Sequence, residues 1–184
     1  MSALLDALEA ALLRTGSLPS ADSPLGAVSG VILRMATSYL SDGRTFEHRG
    51  DDVNAHASAV YAFGWLDAGI YLGYLTSSGV PLPSFGAAIP ADQAEHLAEK
   101  SGRYRRLLDQ AIAALEPAPD PETPMHPAAS RLLAEGRAAL LRGSAEGDDD
   151  AAALAWYSYG FGWLDAGVQA GLFRIIASRE IFTV

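Results

Sequence analysis

The sequence predicts an all-α fold in which two tandem three-helix units pack about a pseudo-twofold axis into one helical bundle. The main observation is that FGWLDAG occurs twice, as Phe63–Gly69 and again, 98 residues later, as Phe161–Gly167. Two further blocks recur upstream in the same order at similar offsets, which indicates a duplicated unit. No stretch shows sustained alternation of apolar and polar residues, so we expect no sheet.

The first helix of each unit is predicted from its apolar spacing. The pattern LLDALEAAL from Leu4 has leucines at helical intervals and predicts a helix from Ser2 to about Arg14. The related LLDQAIAAL from Leu107 belongs to a predicted helix over about residues 91–115. Each of these helices presents one apolar stripe to its unit.

The second helix has start and stop signals in both copies. A Ser23 or Thr123 N-cap is followed by proline in the first turn, and a glycine suited to the C′ position follows nineteen residues after each proline. The predicted spans are Pro24–Gly43 and Pro124–Gly143, with Pro127 as an alternative start in the second copy.

The third helix carries the repeated heptapeptide. Aspartates that complement the helix dipole precede it, at 51–52 and at 148–150, and we expect it to run to about Thr76 and about Ala177. Between Tyr61 and Leu75 it is apolar nearly all round, as in helices buried on more than one side. We therefore expect the two third helices to contact each other, so that one chain forms a pseudo-dimer; the oligomeric state stays open.

These elements give a domain organisation. We predict a first unit over residues 1–78, a linker rich in proline and glycine over 79–90, and a second unit over 91–184. PAPDPETPMHP, residues 117–127, is expected to form an extended surface connection.

Composition restricts the cellular setting and the partners. The chain has 184 residues, no cysteine and a net charge of −9, which excludes disulfides and thiolate chemistry and disfavours nucleic-acid phosphates and anionic membranes. Lys100 is its only lysine, a composition typical of salt-adapted (halophilic) proteins and also of GC-rich genomes. We find no leader and expect a cytoplasmic protein without membrane spans, because Asp67 would lie at mid-bilayer.

The stretch DDVNAHASAVYAFGWLDAGIYLG, from Asp51 to Gly73, resembles the archaeal family known as domain of unknown function 357. The resemblance is strongest over residues 51–75 and 149–173, and looser over the other helices. It implies a small helical bundle of archaeal origin, here as a fused tandem copy of a unit that usually occurs singly. It implies no activity.

The candidate site residues lie in the repeated motif. Asp67 and Asp165 are acids within apolar helices, so each must be paired, protonated or placed at a solvent-filled cleft. Either they cap or bond neighbouring groups, or they form a ligand site with Tyr71, Trp65 and Trp163. Trp65 lies about 200° from Asp67 around its helix, which favours a core position for the tryptophan.

Other polar groups are weaker candidates. The four histidines are scattered, and His56 with Asp52 is interpreted as a helix-surface pair. The cations Lys100, Arg103 and Arg106 are interpreted as a solvated face, with phosphate binding as the alternative. The chain has no P-loop, GxGxxG, HExxH or GxSxG motif, and we expect neither metal nor cofactor.

We therefore predict a non-enzymatic protein-interaction or scaffolding module that takes a protein partner in a helical groove. The alternative is a small-molecule or metal-binding protein, or an enzyme, that uses Asp67 and Asp165 between the two repeats. That alternative requires the two carboxylates to converge on one polar pocket.

Overall fold

A computed structural model describes residues 2–183, which form six α-helices and one two-stranded ribbon. The helices are Ser2–Arg14 (α1), Pro24–His48 (α2), Asp52–Tyr71 (α3), Ala94–Ala114 (α4), Met125–Ala145 (α5) and Asp150–Gln169 (α6). The strands are Leu115–Pro117 (β1) and Phe173–Ile175 (β2), and 3₁₀ turns span Ala91–Gln93 and Arg179–Ile181.

The all-α bundle of two units is confirmed. The helices α3 and α6 pack against each other along the centre, α2 covers α3, and α5 covers α6 in the equivalent way. The helix α1 packs on α2 and α3, while α4 packs mainly on α6. Within residues 2–183, none of the helices is long and apolar enough to cross a membrane.

Side-chain caps begin three of the helices. The Ser23 hydroxyl accepts from the Gly26 amide, and Asp51 and Asp149 accept from the amides three residues further on. The carboxylates also lie at the positive end of the helix dipole. Thr123 was expected to be an N-cap, but α5 begins after Pro124 without a side-chain cap bond.

The predicted ends of the second helices are wrong, because Gly43 and Gly143 lie inside α2 and α5. A Cβ at Gly43 would lie 2.7 Å from Leu5 Cδ2, and one at Gly143 would lie 2.4 Å from the Tyr157 ring. These glycines permit close packing of neighbouring elements. Gly50, with φ of 73°, follows α2 in the left-handed conformation that the chain reversal requires.

The third helices end earlier than predicted, at Tyr71 and Gln169. Gly73 and Gly171 each have φ of 71° and follow the C-cap. The amide after each glycine donates to the carbonyl of Gly69 or Gly167, which is the pattern of a Schellman motif. Gly73 and Gly171 are therefore helix terminators.

The expectation of no sheet is also wrong in one place. The strands β1 and β2 pair antiparallel, with Glu116 opposite Arg174. In the first unit, Ser17 and Leu75 form an isolated bridge at the equivalent place. Three residues are too few for an alternating pattern, so sequence periodicity carries no signal for this ribbon.

The seam between α3 and α6 is built on two glycines. A Cβ at Gly64 would lie 2.3 Å from the Tyr159 carbonyl oxygen, and one at Gly162 would lie 2.4 Å from the Tyr61 carbonyl oxygen. The helices run side by side in the same direction, since His56 near the start of α3 contacts Ala151 near the start of α6. Reciprocal contacts of this kind are those of a twofold axis.

Candidate functional site: a tyrosine–lysine cavity

A cavity of about 350 Å³ lies on one flank of the seam, between α2, α3, α4 and the C-terminal segment. We call it the tyrosine–lysine cavity; its polar lining is Tyr39, Asp42, Asn54, Ser58, Tyr61, Lys100, Tyr104 and Thr183. Phe46 and Phe161 are among its apolar walls. Its volume is at the lower end of the range for small-molecule sites, roughly 300–1,000 Å³.

The only lysine of the chain lies in this cavity. Lys100 is 5% exposed, and its ammonium donates to Asn54 Oδ1 and lies 5.1 Å from the Tyr104 ring centroid. Burial lowers the pKa of Lys100, and Arg103 acts in the same direction. The expectation of a solvated basic face is therefore wrong for Lys100, although Arg103 and Arg106 on the same helix are exposed.

The ammonium has neutral neighbours. Among residues 2–183, no carboxylate oxygen lies within ion-pair distance, 4.0 Å, of the Lys100 Nζ. Asp51 and Glu99 act on it only at longer range. A buried cation without a counterion is costly, because desolvation is not offset by a nearby opposite charge.

Three tyrosines line the cavity together with the lysine. Tyr61 forms the floor, with Tyr39 packed edge-on against it at a centroid distance of 4.4 Å. Burial is the largest cause that raises the pKa of Tyr39, Tyr61 and Tyr104, so all three phenols stay protonated at neutral pH. The cavity thus offers several neutral hydrogen-bond donors beside one cation.

At the equivalent place on the opposite flank, which we call the filled flank, aromatic side chains cover the floor tyrosine, and a cavity of about 380 Å³ lies outside them, lined by Phe85, Trp156 and Glu146 among others. Trp156 stands 98 residues after Ser58, and Phe85 stands 98 residues before Thr183. The rings of Phe85 and Trp156 pack at 4.7 Å, and Phe85 packs on Tyr159 at 5.4 Å. The floor tyrosine of one flank of the pseudo-dimer, Tyr159, is therefore covered by aromatic side chains, whereas that of the other flank, the open flank, is Tyr61, which lines a cavity.

The two aspartates of the repeated motif bond tyrosines across the seam. The Tyr159 hydroxyl donates to Asp67 Oδ2 at 2.7 Å, and the Tyr61 hydroxyl donates to Asp165. Each aspartate follows its central glycine by three residues and each tyrosine precedes it by three, so they lie about 60° to either side of the seam. The twofold relation then places one pair on each flank.

The structure thus does not bring the two carboxylates together into one pocket. Asp67 borders a small cavity of about 20 Å³ on the filled flank. Asp165 lies behind Tyr61 on the open flank, fully buried, and also accepts from the Thr183 amide and hydroxyl. Burial is the largest cause that raises the pKa of both carboxyl groups.

The aromatic residues predicted to bind a ligand have separate positions. Trp65 is fully buried in the core, beside the Tyr61 ring at 6.2 Å. Tyr71 is 46% exposed and packs on Trp163 at 5.8 Å. Neither tryptophan is in the lining of the tyrosine–lysine cavity.

His56 is not on the helix surface. It is fully buried, and its Nε2 lies 3.1 Å from the Ala151 carbonyl oxygen, so the neutral ring donates across the seam. Burial is the largest cause that lowers its pKa. Within residues 2–183, no group of three or more histidine or carboxylate side chains is placed to hold a metal ion.

Sequence reasoning missed the cavity, although one signal was present. Leu97, Tyr104, Leu108 and Ala111 recur along one side of α4, and Lys100 falls on the same stripe. A single lysine at an apolar position of a helix is a stronger signal than a lysine in a cationic face. The contribution of Thr183 has no comparable sequence signal.

The chain matches one family model twice. The family is described as a protein of unknown function (DUF357), and the matches cover residues 4–75 and 103–173. No curated protein and no solved structure matches the chain. The two matches contain both copies of the seam helix with its central glycine, tyrosine and aspartate. The chain therefore belongs to the DUF357 family, as a tandem duplicated member.

Proposed function

We propose that the protein is a non-enzymatic binding module that holds one small organic molecule in the tyrosine–lysine cavity. The observation that supports this most is the contrast between the two flanks of one duplicated fold. Trp156 and Phe85 cover the floor tyrosine of one flank, whereas Ser58 and Thr183 leave the other floor tyrosine, Tyr61, open to a cavity. A ligand in the open flank would occupy the space that aromatic side chains occupy in the other.

The residues of the cavity suit binding more than turnover. A lysine, an amide and the hydroxyls of the lining can hold and orient a ligand through hydrogen bonds, although Tyr61 already donates its proton to Asp165. The aspartates of the motif are engaged with tyrosines, and Asp165 is fully buried behind Tyr61. The cavity thus combines hydrogen-bond donors with one cation, and neither aspartate of the motif is among its lining residues.

The test is a thermal-denaturation screen of the full chain against small metabolites in high-salt buffer. Ser58→Trp places in the open flank the residue that the filled flank already has, and should block the cavity while the protein still folds. Ser38→Trp, on the exposed surface of α2, is the matched control. We expect compounds that raise the melting temperature of the wild type and of Ser38→Trp but not of Ser58→Trp.

Two results would contradict the proposed function. One is a library from which no compound stabilises the wild type. The other is a set of compounds that stabilise Ser58→Trp as well as the wild type, which would place binding outside the cavity.

A second candidate is the protein-interaction module predicted from the sequence. It is supported by a groove of about 610 Å³ between α4 and α5, whose lining includes Arg105, Arg106 and Leu141. Leu141 is 72% exposed, and the arginines suit an acidic amphipathic segment of a partner. A photo-crosslinker at residue 141 should give a defined conjugate with that partner, whereas one at Leu13, which is 83% exposed, should not.

The setting that we propose is the cytoplasm of a salt-adapted archaeon. It is supported by the net charge of −9 and by a single lysine beside twelve arginines. The burial of that lysine fits a role for Lys100 other than solubility.

A further inference from the structure

We infer that the ligand of the tyrosine–lysine cavity is a small aromatic carboxylate, with its carboxylate on Lys100 and its ring among the tyrosines. This inference rests on the proposed function and gives it a ligand class. It depends on three features of the cavity: the charge at one point, the donors around that point, and the rings of the walls.

The Lys100 ammonium supplies the positive charge of the cavity. It is 5% exposed and has Asn54 and Tyr104 as its close neighbours, with no carboxylate of residues 2–183 in ion-pair distance. A ligand carboxylate would supply the missing opposite charge, and charge-assisted hydrogen bonds are roughly twice as strong as neutral ones. Asp42, also in the lining, is exposed and therefore screened by solvent.

The donors close to the ammonium suit a carboxylate. An ionised carboxylate accepts up to about four hydrogen bonds and donates none. Lys100 retains further N–H donors beside the one directed at Asn54, and the hydroxyl of Ser58 and the amide of Asn54 line the same space. A cationic ligand would instead place two like charges in a site of low dielectric.

The walls suit a flat ring. Five aromatic side chains line the cavity: Tyr39, Phe46, Tyr61, Tyr104 and Phe161. Tyr61 stacks on Phe161 at 6.2 Å, and Tyr39 meets Tyr61 edge-on. On the filled flank, the equivalent floor tyrosine, Tyr159, is itself covered by an aromatic ring, that of Phe85.

The test uses four probes that separate charge from shape. Benzoate, benzamide and benzamidine share a ring and nearly one outline but are anionic, neutral and cationic, while acetate has the charge without the ring. Isothermal titration calorimetry on the full chain should give benzoate an affinity at least about tenfold higher than those of benzamide and acetate. Benzamidine should bind more weakly still.

Variants of Lys100 test whether the preference for benzoate over benzamide depends on the lysine ammonium. Lys100→Met should reduce benzoate to the affinity of benzamide, while Lys100→Arg, which keeps the charge, should retain a preference for benzoate. Arg105→Met, at an exposed position of the same helix, is the control and should bind all probes as the wild type does.

The outcomes separate this inference from the proposed function. Equal binding of benzoate and benzamide, or of benzoate and acetate, would overturn the aromatic carboxylate and leave the cavity as a binding site. A preference for benzoate that survives Lys100→Met would also overturn the aromatic carboxylate as the ligand class. Failure of all four probes would overturn the ligand class, whereas the proposed function fails only if the metabolite screen also finds no cavity-dependent compound.

Discussion

At the scale of single residues, Lys100 is only 5% exposed although its side chain is cationic. It is a buried cation with a neutral amide and an aromatic ring as its close neighbours. Replacing a buried ion by an apolar residue of similar shape is often neutral or stabilising. A residue that lowers the stability of the fold is typical of a functional site.

The first prediction concerns the stability of Lys100→Met. We expect its free energy of unfolding in urea to exceed that of the wild type by about 1 kcal/mol, because the desolvation penalty of the ammonium is removed. Arg105→Met, which removes an exposed cation from the same helix, should stay within about 0.5 kcal/mol. A loss of stability in Lys100→Met would show that the lysine stabilises the bundle instead.

A second prediction compares the two aspartates of the seam. Asp165 is fully buried and accepts from Tyr61 and from the amide and hydroxyl of Thr183, whereas Asp67 accepts from Tyr159 alone. Asp165→Asn should therefore cost about 2–3 kcal/mol of unfolding free energy and Asp67→Asn about 1 kcal/mol. Urea denaturation of both variants measures this, and the reverse order would contradict it.

A third prediction concerns the pH dependence caused by His56. Its pKa in the folded protein lies below 6.5, because burial disfavours the charged ring. The unfolded chain therefore binds more protons, so this contribution to stability is complete above pH 6.5 and is lost as the pH falls towards the pKa of the folded state. His56→Leu, which copies Leu154 of the second unit, should lack this loss when unfolding is followed between pH 7 and pH 5.

The acids of the seam give a pH dependence of the opposite sign. Burial raises the pKa values of both carboxyl groups in the folded protein. Their contribution to stability is therefore present below the pKa of the unfolded chain, near 3.8, and is lost as the pH rises through the raised pKa of the folded protein. The free energy of unfolding of the wild type, relative to that of Asp165→Asn, should therefore fall between pH 4 and pH 7. A difference that is constant with pH would contradict the raised pKa.

At the scale of the elements, the pair of helices α3 and α6 depends on their glycines. A Cβ at Gly64 or Gly162 would meet a backbone carbonyl oxygen of the other helix at 2.3–2.4 Å, and backbone cannot rotate away as a side chain can. The helices would have to move apart along the seam, and every contact on either side of it would loosen.

The fourth prediction follows from this contact. Gly64→Ala should lower the free energy of unfolding by about 3 kcal/mol, at the upper end of the usual cost of overpacking. Gly102→Ala on α4 is the control, since its Cβ would meet only the end of Arg106, at 3.6 Å. That variant should be stabilised by up to about 1 kcal/mol through helix propensity. A Gly64→Ala protein as stable as the wild type would contradict the close seam.

The elements also show which features the sequence made predictable. Helices with long apolar stripes and aspartate caps were found close to their true starts, because periodicity and capping are local signals. The ends were less predictable, since a glycine serves equally as a helix terminator, as at Gly73, and as a contact point, as at Gly43. Only the position of a neighbouring element distinguishes the two uses.

At the scale of the whole molecule, duplication has given two equivalent flanks with different contents. The repeated motif indicated the twofold arrangement, and the reciprocal tyrosine–aspartate bonds agree with it. The candidate site could not be predicted, because it depends on how the segments after α3 and α6 return to the seam. Phe85 and Thr183 reach equivalent tyrosines, but the Phe85 ring covers Tyr159, whereas Thr183 leaves Tyr61 in the lining of a cavity.

The central claim is that Lys100 is the unpaired charge of an open ligand cavity. The most direct measurement is the titration of the lysine ¹³Cε resonance by NMR, which gives one signal because the chain has one lysine. We predict a pKa below 10.5 in the free protein and a rise in that pKa when benzoate saturates the cavity. A resonance that titrates near 10.5 and does not respond to benzoate would contradict the claim.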